Sequence, residues 1–387
     1  MSVLVMRWSI AIILFLSATA VVFAQQSPIR LEVSSTVDTS NSDISQVIRL
    51  WGNYLNSNPD SAYVNPYWSE SEQRRYKPFD FVAHTWWSPG LYEQWLGHCK
   101  VSILSVSRVG ESYVVRTLFY SLPRRDSGKV NVISIFQTGA RRENGSFKLC
   151  NVLPINTRSW QKERVGSITF VFPPDHRFNR ALAIRMNRFI NSLAADWRIS
   201  VVPVEYYFAD DVDRVYKAVG HDYYPAEGNN KGPGGYTAVK NRFILAGGSG
   251  EWYPHEFVHI YINPLFPNAN TYFLEGYATL LGGSRGHDLS WHLRQNYDFL
   301  KSHPEVDALT FNGIDPHIAA QHLPQYFIGG LLCKMALDKG GIPMLRKLMS
   351  YGKEDEDLYR AIQDVFGVDK QHVNGFILDS MAKYAKN

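Results

Sequence analysis

Cysteine is scarce in this chain of 387 residues: Cys99, Cys150 and Cys333 are too few for a disulfide framework, and their spacing matches no zinc ribbon. Net charge is scarce as well. With 40 Lys plus Arg against 36 Asp plus Glu, the formal +4 provides no electrostatic case for nucleic acid or an anionic membrane as partner. The apolar run at residues 10–23 falls short of the roughly 20 residues that cross a bilayer. No internal repeat at the periods of solenoids or propellers is found, which excludes those architectures. What is present is ordinary for a folded protein: 45% hydrophobic and 20% charged residues, enough to bury a real core. The length favours two domains over one. Aromatic residues make up 14%, with 22 Tyr, and fit aromatic cores or substrate grooves equally.

The first 24 residues read as an export leader. Arg7 supplies the positive start, residues 10–23 the apolar stretch, and Val22-Phe23-Ala24 the small residue before a cut ahead of Gln25. A periplasmic or extracellular location follows, with no stable membrane insertion once the leader is removed. No cysteine follows the cut, so a lipoprotein anchor is unsupported. In an oxidising compartment Cys99 and Cys150, both at the ends of strand-like runs, could pair or remain two buried thiols; Cys333 lies in a helical run and reads as core.

Residues 43–56 carry helical periodicity, with Ile44, Val47, Ile48, Trp51 and Leu55 on one face. From 99 to 154 the period changes to two, in four runs punctuated by Gly110, Gly128 and Gly145, as in an antiparallel sheet. Helix first and meander afterwards make an α+β domain over residues 30–156. Its order resembles the cone-shaped fold of nuclear-transport-factor-2-like proteins, in pattern alone. Residues 158–164 read as a charged connection, and a second domain spans 165–387. It opens with strands at 168–172 and 204–208 around a helix at 179–197. A short helix at 210–219, a Gly-rich loop at 228–235 and a strand from Asn241 follow. From Trp252 onward nearly everything is helical.

The run Pro254-His255-Glu256-Phe257-Val258-His259-Ile260-Tyr261-Ile262-Asn263-Pro264 carries the functional argument. Pro254 suits the first turn of a helix and Pro264 ends it. Residues four apart point the same way, so His255 and His259 can offer imidazole nitrogens to one ion. Downstream, Thr271 can cap a second helix and Gly282-Gly283 can end it, which places Glu275 in its first turns. The result is a helix hairpin, in which Gly276 beside Glu275 lets the two helix backbones approach closely. A His, His, Glu set with an open fourth position is the arrangement of catalytic rather than structural zinc. Each residue has a duller alternative. The histidines could be hydrogen-bonded core groups, and Glu275 could serve only the helix dipole.

At these residues the chain resembles the gluzincin clan of zinc metallopeptidases, in which His-Glu-x-x-His is followed by a Glu on the next helix. The Phe-Leu-Glu-Gly-Tyr-Ala context is most similar to compact peptidase MA-like members. The resemblance implies a zincin-type domain with a small mixed sheet and a mainly helical C-terminal half. It implies one Zn2+ per chain held by His255, His259 and Glu275, and Glu256 as general base toward a metal-activated water. It further implies a peptide or protein substrate bound along an edge strand, here matched to residues 241–247. A hydroxyl or imidazole on a later helix would stabilise the oxyanion, for which Tyr326 is the candidate and His317 and His322 compete. The Gly-Ala-Met-Glu-Asn motif of the aminopeptidase branch is absent, which favours an endopeptidase. The rival reading is a metal-binding but inactive relative that serves as a ligand- or peptide-binding module. His84, His98, His287 and His292 lack ligand spacing and read as surface or core groups. The oligomeric state is open.

Overall fold

The computed structural model describes residues 29–57, 64–84, 99–122, 130–224, 227–228, 232–303, 306–309 and 323–385. The expected leader, Gly128, His98, His317 and His322 lie outside them. Helix α1 (Ser42–Leu55) begins where the Asn41 side chain accepts from the backbone N–H of Asp43 and Ile44, and it buries Val47, Trp51, Tyr54 and Leu55. It packs on an antiparallel meander of β2 (Lys100–Val109), β3 (Ser112–Ser121), β4 (Asn131–Glu143) and β5 (Ser146–Cys150). The β4–β5 turn is Asn144-Gly145, both at positive φ, the dipeptide that matches a hairpin's right-handed twist.

Two further strands join this sheet beyond the four expected. One is β1 (Leu31–Val33), which runs parallel to β2. The other, β9 (His221–Tyr223), arrives from much later in the chain. Strand β5 covers β4 only from Gly139 to Glu143, and β9 pairs with the uncovered stretch at Ile135 and Phe136.

The second sheet is mixed, in the order β10-β11-β8-β7-β6. Its members are β6 (Gln161–Val165), β7 (Ile168–Phe172), β8 (Val204–Ala209), β10 (Gly234–Ala238) and β11 (Phe243–Gly247). The expected charged connection at 158–164 is therefore largely an edge strand. Its residues Gln161 to Arg164 are exposed and only Val165 is buried, so no apolar alternation marks it. The expected edge at 241–247 is corrected too: β11 is paired on both sides, to β10 and to β8, and the edge belongs to β10.

Period two gives this sheet two faces. Tyr206, Phe208, Ile244 and Ala246 join a core with α2 (Arg180–Trp197) and with the helices that follow. Ala209, Phe243 and Leu245 point the other way, into the core of the first sheet, with Val215 and Val219 from α3 (Val212–Val219). The C-terminal half comprises α4 (Pro254–Ile262), α5 (Thr271–Gly282), α6 (Leu289–Ser302), α7 (Pro324–Met349), α8 (Asp355–Phe366) and α9 (Val373–Tyr384). Non-helical backbone at Gly340 and Gly341 breaks α7. Among the described residues no helix is long and apolar enough to cross a membrane.

Candidate metal centre

Every residue of α4 is buried, with Pro254 in its first turn. The loop before it is pinned: the buried Glu251 carboxylate accepts from Asn179 N at 2.6 Å and lies 2.9 Å from His176 Nε2, and Tyr206 donates to Gly250 O at 2.6 Å. Helix α5 is capped by Asn270, whose side chain accepts from Tyr272 N at 3.0 Å; the expected cap, Thr271, is the first helical residue instead. The close approach of α5 to α4 is made by Gly282, where a Cβ would sit 2.2 Å from His255 N. Gly276 faces another neighbour. A Cβ there would lie 2.0 Å from the carbonyl carbon of Gly329, so this glycine seats α7 against α5.

Three side chains converge where these helices meet. His255 Nε2 and His259 Nε2 are 3.3 Å apart, and Glu275 Oε2 is 3.3 Å from the first and 3.5 Å from the second. Donors bonded at ~2.0–2.1 Å to a tetrahedral zinc stand about 3.3–3.4 Å from one another, so the triangle has the dimensions of three such ligands. The outer ring nitrogens select the tautomer. His255 Nδ1 lies 2.7 Å from the Gly283 carbonyl, which can only accept, so Nδ1 carries the proton and Nε2 presents a lone pair inward. His259 Nδ1 faces Asn263 Oδ1 at 3.3 Å in the same sense.

Inward lone pairs beside a carboxylate oxygen need a cation between them. Without a metal, a proton is drawn to that position. Burial alone would favour the neutral His259 ring, but Glu275 reverses this and pushes its pKa up to about 9. Burial alone would raise Glu275, and His259 with His255 overrides it, holding the carboxyl well below the usual range. A metal would compete with protons for these donors.

Glu256 is buried beside this triangle. Its Oε2 accepts from Thr237 Oγ1 on β10 at 2.5 Å. The three donors, Gly235, Thr237, Glu256, Asn263 and Tyr326 all line one cleft of about 240 Å³. The Tyr326 ring centroid lies 6.0 Å from that of His255. Burial, then the Glu275 and Glu256 charges, push its pKa well above the usual phenol range, which keeps the hydroxyl a donor. His287 and His292 stand elsewhere, one exposed and stacked on Trp291 at 3.7 Å, the other buried with Nε2 3.0 Å from Ser284 O. All three cysteines are free thiols.

The cleft also draws on residues that the sequence analysis does not single out, among them Asn263, Gly235 and Thr237. Asn263 had a signal, since it follows His259 by four positions on the same helical side. Gly235 and Thr237 had none, because they reach the site from a strand nearly 20 residues upstream.

No family model matches the chain, and no curated protein does. Among solved structures it is similar to a mutant of the M1 zinc metallopeptidase from Deinococcus radiodurans, at 11% identity and a TM-score of 0.27. The match covers 74% of this chain and 64% of that one, just under two thirds of its length. A likeness of that size decides neither fold nor chemistry, and the functional reading rests on the side chains themselves.

Proposed function

We propose that the protein is a zinc-dependent peptidase of the gluzincin type, with His255, His259 and Glu275 as ligands to one Zn2+. The observation that supports this above all is the 3.3–3.5 Å triangle of inward-facing donors, with a fourth direction open to a cleft that holds a buried carboxylate. Bound there, zinc would polarise a substrate carbonyl and make a neighbouring water acidic enough to ionise near neutrality. Glu256 takes the proton from that water and passes it to the departing amine. Tyr326 donates a hydrogen bond to the oxyanion that develops on the scissile carbonyl. Strand β10 is the edge of its sheet and lines the cleft, so an extended peptide can add to it as a further strand. The absence of the Gly-Ala-Met-Glu-Asn motif favours an endopeptidase. The leader motivates a role outside the cytoplasm, tested by whether the exported protein begins at Gln25.

Zinc content and peptide cleavage, measured together, test the reading. The wild type should hold one zinc per chain. Glu256→Gln should keep the metal and lose about 10²–10⁴ in cleavage rate. His259→Ala should lose metal and cleavage alike. Full cleavage by Glu256→Gln would overturn the role of that carboxylate, and a zinc-loaded wild type that cuts no peptide would leave a binding module in its place.

A further inference from the structure

We infer that Thr237 is the positioning residue that holds the Glu256 carboxylate at its working angle, so that β10 organises the base as well as lining the cleft. This rests on the hydrolytic reading of the site. The strand brackets the carboxylate with two residues of one face. A Cβ on Gly235 would lie 2.8 Å from Glu256 Oε1 and 2.7 Å from its Cγ, so the bare glycine leaves that side of the carboxylate its room. Two residues on, Thr237 Oγ1 lies 2.5 Å from Oε2. Residues i and i+2 of a strand share a face, so the spacing needed to hold the two oxygens is built into β10. The Thr237 hydroxyl has a single proton and two acceptors in reach, the carboxylate and, at 3.0 Å, the Glu256 backbone carbonyl. The carboxylate is the closer and the charged one, and takes it.

Glu is a long side chain with several rotamers, and among the described residues no hydrogen bond other than that from Thr237 restrains its carboxylate. Without Thr237 the group is free to swing within the cleft. A displacement of about an ångström at a reacting group is enough to cost roughly 100-fold in rate.

The test compares Thr237→Val, which keeps the β-branched shape and removes the hydroxyl, with Thr237→Ser, which keeps the hydroxyl. Both are prepared zinc-loaded; kcat and KM are measured on a peptide the wild type cuts, and a crystal structure is determined for each. Thr237→Val should lose about 10- to 100-fold in kcat with KM little changed, keep its zinc, and show the Glu256 carboxylate rotated from its wild-type position. Thr237→Ser should recover most of kcat and return the carboxylate to its place. A Thr237→Val structure with Glu256 unmoved, or a Thr237→Ser protein as slow as Thr237→Val, overturns the inference. Absence of peptide cleavage by the wild type defeats the proposed function instead, and the position of Glu256 in the two crystal structures then decides this inference alone.

Discussion

Asn263 shows how one side chain outside the ligand set can tune the centre. Four residues after His259, it places Oδ1 3.3 Å from Nδ1 and so favours the tautomer whose Nε2 faces Glu275. His255 gets the same service from a backbone carbonyl at 2.7 Å, which no substitution of a side chain removes. The two candidate ligands are therefore held unequally. Asn263→Ala should weaken zinc binding by about 10- to 100-fold, read by competition with a chelator, while the fold is kept. Unchanged affinity would mean that the α4 backbone alone orients the ring.

Helix packing sets the next scale, and glycines decide it. Gly276 on α5 meets the Gly329–Gly330 backbone of α7, so its partner cannot step aside. Gly330 differs, because a Cβ there would first meet the end of the Leu289 side chain, at 2.6 Å. Gly276→Ala should cost about 1–3 kcal/mol or more and displace Tyr326 relative to Glu275, whereas Gly330→Ala should cost clearly less. Urea unfolding of the two variants checks the ranking; equal losses would mean that α5 and α7 separate easily. The same scale explains what could be read from the chain itself. The helices α1 and α2 announce themselves because each buries a face at period 3.6, while α4 and α5 are marked by the prolines and glycines that bound them, with His255 and His259 four residues apart on one helix. The strands β6 and β10 do not, since an edge strand pairs on one side and buries little. Gln161-Lys162-Glu163-Arg164 reads as a linker and Gly234-Gly235 as the end of a Gly-rich loop for that reason. Thus the grouping of His255, His259 and Glu275 is legible in the chain and the strand beside Glu256 is not, which is why the expected edge falls on β11 instead of β10. Gly276 signals close packing, but the expected partner α4 is corrected: Gly276 admits α7, and Gly282 makes the approach to α4.

At the scale of the whole molecule, β9 follows α3 and pairs with β4 of the first sheet, and His221 sits at that junction. Its ring is fully buried, edge-on to Phe136 of β4 at 5.1 Å and to Tyr216 of α3 at 5.5 Å. Neither ring nitrogen has a hydrogen-bond partner among the described residues. Burial pushes its pKa down to about 3, whereas in the unfolded chain the ring titrates near ~6.5. The sign follows from which state binds the proton first. As pH falls below about 6.5 the unfolded chain is protonated while the folded one refuses until about 3, so stability is full above that window and is lost progressively through it. Between pH 6.5 and pH 5 this one ring should account for a loss of about 2 kcal/mol. His221→Leu, close in volume and without a titrating group, removes that contribution and leaves those of the carboxylates. The difference between variant and wild type in urea unfolding free energy should therefore grow in the variant's favour by about that amount as the pH is lowered from 7 to 5. A constant difference across that range would mean that the folded ring takes up its proton as readily as the unfolded one, and that the β4–β9 junction opens enough to hydrate it.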